Sequence, residues 1–300
     1  MAEKPVPREA VLIVNTRSRR GRALFREALD KLTQAGIHIV EAHAVRDPGL
    51  LVPTVNAAVI TGAPMVIVGG GDGSLSCTVD EVVGYDCVFA LLPLGTANSF
   101  ARTLGIPLDL DGAIGTIAKG QRRRIDLGVI NGDYFANAAA MGISPMIGET
   151  VPPKLKRYLG RLGYLVWAAR CLIRFRPFRL TVDDGESRHT LWTTEVRIAN
   201  GRFHGGVEMI EDSEPDDGQI VVQAVTGKSV TRLVWDWFAR FCRLPTLDLV
   251  TQEFRGRRFE LDTRPRQKVS IDGEVLARMP AVVESAHNAI EVVVPVEETS

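Results

Sequence analysis

The sequence predicts an N-terminal α/β domain with a parallel sheet (residues 1–130), followed by a C-terminal antiparallel β-sandwich domain (residues 131–300). In the first 100 residues, short apolar runs alternate with segments of helical spacing, which is typical of parallel βα layers. From residue 178 onward the apolar period shortens to that of strands, and Asp-Gly turns interrupt it. The pattern leaves open whether the last strand returns to the first domain.

The first elements place three loops at one edge of the predicted sheet. The predicted elements are a strand at 10–14, a helix at 22–35, a strand at 37–44, a helix at 50–61 and a strand at 65–68. Ligands of such sheets bind at the carboxyl ends of the strands. The loops that contain Asn15, Asp72 and Thr96 would all lie at that edge.

Composition excludes some classes of function. The chain has 300 residues, 45% of them hydrophobic, and a formal net charge of zero, so no global field recruits nucleic acid. Four scattered cysteines have no metal-site spacing and fit a reducing compartment. We therefore expect a cytoplasmic protein with no secretory signal and no nucleic-acid partner.

The first glycine-rich loop reads Gly69-Gly70-Gly71-Asp72-Gly73-Ser74 and follows the buried-strand pattern of residues 65–68. Glycines let another group approach the backbone closely, and a helix N-terminus attracts anions. Ser74 is expected to cap the following helix. Asp72 inside an anion cradle is explained if it holds Mg²⁺ or receives a proton from a nucleophile. The alternative is a glycine-rich turn with a solvated aspartate.

A second loop, Pro93-Leu94-Gly95-Thr96-Ala97-Asn98-Ser99, repeats this pattern of apolar run, glycine turn and helix-like segment. Two such loops in tandem favour a phosphate site over a chance turn. A dinucleotide fingerprint would need glycine at position 74, and a Walker A loop would need a lysine that the loop lacks.

These two loops resemble the signatures of the diacylglycerol kinase catalytic-domain family, which includes bacterial lipid kinases and sphingosine kinases. Gly70-Gly71-Asp72-Gly73-Ser74 is similar to its Gly-Gly-Asp-Gly-Thr motif, and residues 93–102 are similar to its Pro-x-Gly-Thr-x-Asn-Asp-Phe-Ala-Arg motif. The resemblance extends over nearly the whole chain. The ATP-binding residues that it implies are Asn15, Ser18, Gly70, Gly71, Asp72, Gly73, Ser74, Gly95, Thr96 and Asn98.

The resemblance also implies residues for catalysis and for metal binding. In the family the equivalent segment carries an aspartate near the phosphoryl-transfer site, which matches Asp126 and would share Mg²⁺ with Asp72; a strand-edge aspartate paired to a neighbouring arginine is the alternative. Glu214, Asp217 and Gln219 match a segment that holds Mg²⁺ in bacterial members, with a carboxylate from Asp217 and backbone carbonyls from the other two. An ordinary Asp-Asp-Gly turn is the alternative. Ser270-Ile271-Asp272-Gly273-Glu274 matches the family's Asp-Gly-Glu motif, in which Glu274 would be the general base and Asp272 its support.

The resemblance therefore implies an ATP-dependent, Mg²⁺-assisted lipid kinase of lipid metabolism, with an NAD-kinase-like first domain. Ser99 replaces a family aspartate, and Ser76-Cys77 replaces an Asn-Glu pair. Two other functions stay open: a non-catalytic nucleotide- or lipid-binding regulator, and a kinase of a soluble metabolite. The sequence does not specify which lipid is the acceptor.

Residues 151–180 contain eight basic side chains and no acid, with apolar residues from Leu155 to Ile173 at helical spacing. We expect a helix that packs on the core. A further hypothesis is that it borders a groove for the lipid and attracts anionic headgroups, which predicts peripheral association with a membrane. Trp235, Trp237 and Phe238 could form part of a homodimer interface.

Overall fold

The computed structural model describes residues 4–17, 21–204, 207–208, 213–241, 251–271 and 274–296. Within these ranges, parts of some helices and strands are described by their backbone alone. The helices are α1 (Gly21–Gln34), α2 (Leu51–Ile60), α3 (Asp72–Val79), α4 (Ser99–Thr103), α5 (Leu110–Lys119), α6 (Ile143–Thr150), α7 (Pro153–Arg174) and α8 (Val230–Phe241). Short 3-10 helices cover Pro48–Leu50 and Asp80–Val82.

The strands of the first half are β1 (Glu9–Asn15), β2 (His38–Val45), β3 (Met65–Gly70), β4 (Val88–Pro93), β5 (Gln121–Ile130), β6 (Asp133–Phe135) and β7 (Ala138–Gly142). Those of the second half are β8 (Phe178–Asp183), β9 (Arg188–Ala199), β10 (Phe203–His204), β11 (Val207–Glu208), β12 (Ile220–Thr226), β13 (Thr251–Gly256), β14 (Arg258–Arg264), β15 (Lys268–Ile271), β16 (Glu274–Arg278) and β17 (Ala281–Val294).

The N-terminal strands form a parallel sheet in the order β2-β1-β3-β4. Strands β3 and β4 are buried along their whole length, as their continuous apolar sequences predict. Because these strands run parallel, their carboxyl ends meet at one edge, where the loops at residues 15, 72 and 96 begin. The predicted parallel α/β fold of this half is confirmed.

The C-terminal strands pair antiparallel, in the order β16-β15-β7-β9-β8-β14-β17. A separate hydrophobic core around Phe135, Phe178 and Phe259 lies in this half. The predicted antiparallel sandwich-like domain is confirmed. Strand β17 also pairs parallel with β4 through Glu291 and Val292, so the last strand does return to the first sheet. The position of the boundary at residue 130 stays a prediction.

The five elements predicted between residues 10 and 68 are found within two residues of their predicted ends. Strand β13 has the sequence Thr-Gln-Glu-Phe-Arg-Gly and an edge position, so only one of its faces is partly covered and its apolar signal is weak.

In the part of helix α7 whose side chains are described, the residues that pack on the core coincide only in part with the apolar stripe of the sequence, and Leu172 of that stripe is partly buried there. Ala168 and Cys171 are buried against α6 and α8, whereas Val166 and Ile173 of the predicted core stripe are 65% and 85% exposed. The helix therefore presents apolar side chains to solvent. None of the helices in the described ranges combines the length and apolar composition that a bilayer crossing requires.

Candidate active site

The two glycine loops contact each other backbone to backbone at the carboxyl ends of β3 and β4. A Cβ atom on Gly95 would lie 2.5 Å from the Cα atom of Gly71, closer than any side chain tolerates. The Leu94 N–H donates to the carbonyl oxygen of Gly70 at 2.8 Å and continues the pairing of the two strands. Glycine at 95 is thus required by the approach of the two loops, and a Cβ atom on Gly71 would make a tight contact of 3.3 Å with the Cα atom of Gly95.

Helix α3 begins at Asp72, with Gly71 as its N-cap and no side-chain cap. The prediction that Ser74 caps this helix is wrong, because Ser74 lies inside the first turn and its Oγ accepts a hydrogen bond from Asn15 Nδ2 at 2.8 Å. The N–H groups of Ser74 and Leu75 bond to Gly71 O, which leaves those of Asp72 and Gly73 outside the helical ladder. The uncapped end can therefore receive an anion.

Asp72 joins the two loops through its carboxylate. Its Oδ1 accepts a hydrogen bond of 3.2 Å from the Phe100 N–H in the first turn of α4. The side chain is partly exposed at the mouth of the cradle. Asp72 therefore holds the second loop's helix with one oxygen and keeps the other side of the carboxylate toward solvent.

Asn98 shapes the second loop from inside. It has a left-handed backbone (φ 49°) and a buried side chain. Its Oδ1 accepts the Gly95 N–H at 2.9 Å, and its Nδ2 donates to the carbonyl oxygens of Gly95 and Pro93. Its amide is occupied within the loop, whereas Gly95 and Thr96 are exposed and open to a ligand.

Asn15 lies at the end of β1, the strand next to β3, and so reaches Ser74 as described above. Its Oδ1 also accepts the Arg17 N–H at 3.1 Å. Ser18 lies outside the described residues. Asn15 thus belongs to the same loop cluster as Gly70, Gly71, Gly73 and Ser74, and the ATP-binding role of the cluster stays a prediction.

Asp126 is fully buried, and both oxygens of its carboxylate contact residues of the C-terminal half of the chain. Oδ2 accepts the Gly218 N–H at 2.6 Å, and Oδ1 accepts the Asn288 N–H at 2.7 Å and contacts His287 Nδ1 at 2.8 Å. These bonds make Asp126 an anchor for the turn at residues 215–218. They leave little of its carboxylate for a metal shared with Asp72, so that predicted role has no support in these contacts.

The acidic turn before β12 leaves one carboxylate without an ion pair. Glu214 pairs with Arg202, and Asp216 pairs with Arg123 at 2.6 Å. Among the described residues, Asp217 has no basic group within ion-pair distance, and its Oδ1 accepts the Gln219 N–H at 2.8 Å. Partial burial raises the pKa of Asp217, and the nearby carboxylates of Asp126 and Asp216 add to this, against the hydrogen bond from Gln219 and the positive charge of Arg255.

This donor set fits a hard divalent cation. A carboxylate that is partly desolvated next to two others is stabilised by a cation, and carboxylate and backbone oxygens are the ligands that Mg²⁺ prefers. No group of three or more acidic, histidine or cysteine side chains close enough to hold a metal occurs in the described ranges. A site at this turn would thus depend on Asp217 together with carbonyl oxygens, as predicted for Glu214 and Gln219.

The remaining predicted segment, Asp-Gly-Glu, begins where strand β15 ends. Asp272 lies outside the described residues, and Glu274 is described only as the first residue of β16. Ser270 and Ile271 pair with Ala140 and Ala139 of β7, directly after Asn137. Strand β15 therefore ends beside the start of β7, and the roles of Asp272 and Glu274 stay predictions.

A polar junction that sequence reasoning missed connects α4 to this sheet end. Thr103 Oγ1 donates to Asn137 Oδ1 at 2.9 Å, and Asn137 Nδ2 donates to the carbonyl oxygen of Phe203. The N–H groups of Asn200 and Gly201 donate to the Asn137 carbonyl oxygen at 3.0 and 3.2 Å. The Asn200-Gly201 dipeptide after a predicted strand signals a turn, but the contact with Thr103 is visible only in three dimensions.

Comparisons with known proteins agree with this architecture. Residues 9–130 match the family model described as the diacylglycerol kinase catalytic domain, and residues 137–294 match the YegS C-terminal NAD kinase beta sandwich-like domain. A diacylglycerol kinase of Bacillus subtilis is 28% identical over 97% of this chain and 98% of its own length. A probable lipid kinase YegS of Salmonella gallinarum is 32% identical, covering 74% of this chain and 75% of its own. The crystal structure of a putative diacylglycerol kinase from Bacillus anthracis superposes with a TM-score of 0.82 at 20% identity, covering 98% of this chain and 97% of that one.

Proposed function

Because the chain belongs to the diacylglycerol kinase catalytic-domain family of lipid kinases, we propose that it transfers the γ-phosphoryl group of ATP to the hydroxyl group of a lipid. The observation that carries this proposal is the paired glycine loops with Asp72 between them. A lone glycine turn could be structural, but two loops in backbone contact around one carboxylate make a site for a phosphate chain.

The two glycine loops supply backbone N–H donors for the nucleotide phosphates and leave space for the phosphates to approach. The N–H groups of Asp72 and Gly73 at the start of α3 bind phosphate oxygens, and the exposed Gly95 and Thr96 form the opposite wall. Asn15 and Asn98 keep the two loops in shape rather than contact the phosphates. Catalysis of phosphoryl transfer is mainly positioning and electrostatic stabilisation, which rigid loops provide.

The acidic residues divide into two roles in this proposal. Asp72 lies where the transferred phosphoryl group would be, and Asp217 would hold Mg²⁺ at the turn that Asp126 anchors. Bound Mg²⁺ neutralises negative charge that develops on phosphate oxygens. Glu274 would accept the proton of the lipid hydroxyl as that oxygen attacks the γ-phosphorus, with Asp272 as its support.

We assign the membrane contact to one end of the C-terminal domain, which we call the basic end. It consists of exposed basic residues at the end of α7, at neighbouring ends of β8, β14, β15 and β16, and in the β14–β15 connection. These residues are Arg174, Arg176, Arg179, Arg264, Arg266, Lys268 and Arg278. Arg179 lies directly opposite Arg264, and Lys268 opposite Arg278. Like charges in opposed positions repel, and an anionic surface would relieve that repulsion at Arg179 and Arg264, whereas Lys268 is already paired with Glu149 at 3.4 Å.

The neighbouring apolar side chains favour a bilayer as the anionic surface. Ile173 is 85% exposed one residue before the basic end, and Val166 is exposed two turns earlier on α7. Apolar side chains beside basic ones bind the interface of anionic membranes. This face would hold a cytoplasmic protein peripherally on the membrane that supplies its lipid.

Vesicle sedimentation tests this membrane contact. Vesicles of phosphatidylcholine with phosphatidylglycerol should bind the protein, and pure phosphatidylcholine should not. Reversing Arg264 and Arg266 to glutamate should weaken binding at least thirtyfold, since each basic residue near the surface adds about 1 kcal/mol. The double variant Arg26→Glu/Arg46→Glu, with the same change of charge on the other domain, should bind as the wild type does. Equal binding by both double variants would place the contact elsewhere.

Transfer of label from [γ-³²P]ATP to a panel of acceptors tests the kinase itself. Diacylglycerol, ceramide, a sphingoid base and phosphatidylglycerol in mixed micelles would be compared with soluble NAD. We expect label in one lipid and none in NAD. Label in NAD alone would support a kinase of a soluble metabolite, and bound ATP without transfer to any acceptor would support a regulator.

A further inference from the structure

The junction between α4 and the C-terminal sheet has a role that the proposed chemistry does not include. We propose that Asn137 is a positioning residue for phosphoryl transfer, which sets the distance between the Asp72 loops and the acceptor side of the site. The inference rests on the proposed function and concerns residues that neither bind ATP nor receive the phosphoryl group.

Asn137 connects two parts of the chain through its side-chain amide and its carbonyl oxygen. Its Oδ1 accepts from Thr103 at the end of α4, its Nδ2 donates to Phe203, and its carbonyl oxygen accepts two N–H groups from the turn after β9. The residue is 4% exposed, so water cannot replace these partners readily. The side-chain amide of Asn137 is hydrogen-bonded to α4 through its oxygen and to Phe203 through its nitrogen, and so it fixes α4 against the sheet.

The first turn of α4 extends this connection to Asp72. The Phe100 N–H donates to Asp72 Oδ1, and Thr103 lies one turn later in the same helix. Since α4 has only five residues, a shift at Thr103 moves Phe100 with it. The position of the Asp72 carboxylate is therefore coupled to Asn137.

The same junction reaches the acidic turn through Asn200. Asn200 Nδ2 donates to the carbonyl oxygens of Asp126 and Ala136 at 2.8 and 3.1 Å, and the Asp126 carboxylate binds the Gly218 N–H. The residue next to Gly218 is Asp217, the carboxylate without an ion pair. Asn137 and Asn200 therefore connect the Asp72 loops and the acidic turn, which are the two halves of the proposed site, to the same end of the C-terminal sheet.

Gly201 shows how closely the junction is packed. A Cβ atom at this position would lie 2.5 Å from Asn137 Oδ1 and 2.8 Å from the Thr103 Cγ2 atom. Any side chain at 201 would push α4 and the sheet apart. Because misplacement by about 1 Å can cost on the order of a hundredfold in rate, this contact is suited to set reaction geometry.

Thr103→Val is the sharpest test, because it keeps the side-chain shape and removes only the hydrogen bond to Asn137. Thr116→Val is the matched control, since Thr116 Oγ1 bonds to Gly112 O within helix α5. We expect Thr103→Val to lower kcat for lipid phosphorylation about fivefold to tenfold, the effect of one buried hydrogen bond, with the Kd of MgATP within twofold of wild type. Thr116→Val should keep the wild-type kcat. Gly201→Ala should lower kcat at least as much as Thr103→Val.

Hydrogen–deuterium exchange provides a readout independent of the reaction. Amides of residues 99–104 and 199–204 should exchange faster in Thr103→Val than in Thr116→Val. Wild-type kcat together with wild-type exchange in Thr103→Val would overturn the proposal, as would an equal loss of kcat in both valine variants. If the wild type phosphorylates no lipid, the proposed function fails, and the exchange comparison alone then decides whether Asn137 holds α4.

Discussion

Replacing Gly95 with alanine is expected to separate the two glycine loops. The added Cβ atom would lie 2.5 Å from Gly71 Cα and 2.7 Å from Asn98 Oδ1, whereas carbon atoms pack at about 3.5–4.0 Å. The loops must therefore move apart by about 1 Å. Neither neighbour can yield easily, because one is backbone and the other is held by three hydrogen bonds.

The size of the effect follows from the donors that this movement displaces. Overpacking of this kind costs about 1–3 kcal/mol of folding free energy. Loss of one charge-assisted hydrogen bond to a phosphate costs about 1.5–3 kcal/mol, which corresponds to roughly a tenfold to hundredfold rise in the Kd of MgATP. Isothermal titration with MgATP and unfolding in urea measure the two effects separately.

Gly115→Ala is the matched control for this experiment. Gly115 lies in helix α5, and a Cβ atom there would contact nothing within 4 Å. This variant should gain about 0.5–1 kcal/mol of stability and bind MgATP normally. If Gly95→Ala binds MgATP with wild-type affinity, the contact between the loops is not part of a phosphate site.

Three further predictions concern individual side chains. Asp217→Asn should raise the Mg²⁺ concentration for half-maximal activity about tenfold, and an unchanged Mg²⁺ dependence would exclude the turn as the metal site. Arg197→Met should cost about 3–5 kcal/mol in urea unfolding, since it leaves the buried carboxylate of Glu195, 2.7 Å from the guanidinium, without its partner; a cost below about 1 kcal/mol would contradict this. Burial raises the pKa of the Cys87 thiol to about 12, so iodoacetamide at pH 8 should alkylate exposed Cys77 and spare Cys87. The unfolded Cys87 thiol ionises near its ordinary pKa of 9.0 and the folded thiol does not, so the unfolding free energy should fall from pH 9 to 12, and this fall should be smaller in Cys87→Ala.

The fold was largely predictable because its strong signals are local. The runs at Met65–Gly70 and Val88–Pro93 are buried on both faces, which their unbroken apolar sequences predict. The edge strand at Thr251–Gly256 has no such signal, because its side chains are mostly exposed. The face that α7 buries could be predicted only in part, since its apolar residues surround more than one side of the helix.

The site was predictable only in part, because roles depend on partners distant in sequence. The glycine loops were located from their motifs, but Asp126 is engaged by groups that no spacing rule reveals. Asp126 meets Gly218 and Asn288, residues 92 and 162 positions away. The Thr103–Asn137 contact likewise joins residues 34 positions apart. Such long-range hydrogen bonds decide which polar residues shape the site and which remain open to ligand.

The most direct measurement of the central claim compares Asp72→Asn with the wild type. Asparagine keeps an oxygen for the Phe100 N–H, so the fold and the α4 contact should persist while the charge is lost. We expect MgATP binding within about tenfold of wild type and a fall in lipid phosphorylation of at least about a hundredfold, measured with labelled ATP and the preferred lipid. Transfer at the wild-type rate in a folded, ATP-binding Asp72→Asn variant would contradict the placement of phosphoryl transfer at the glycine loops.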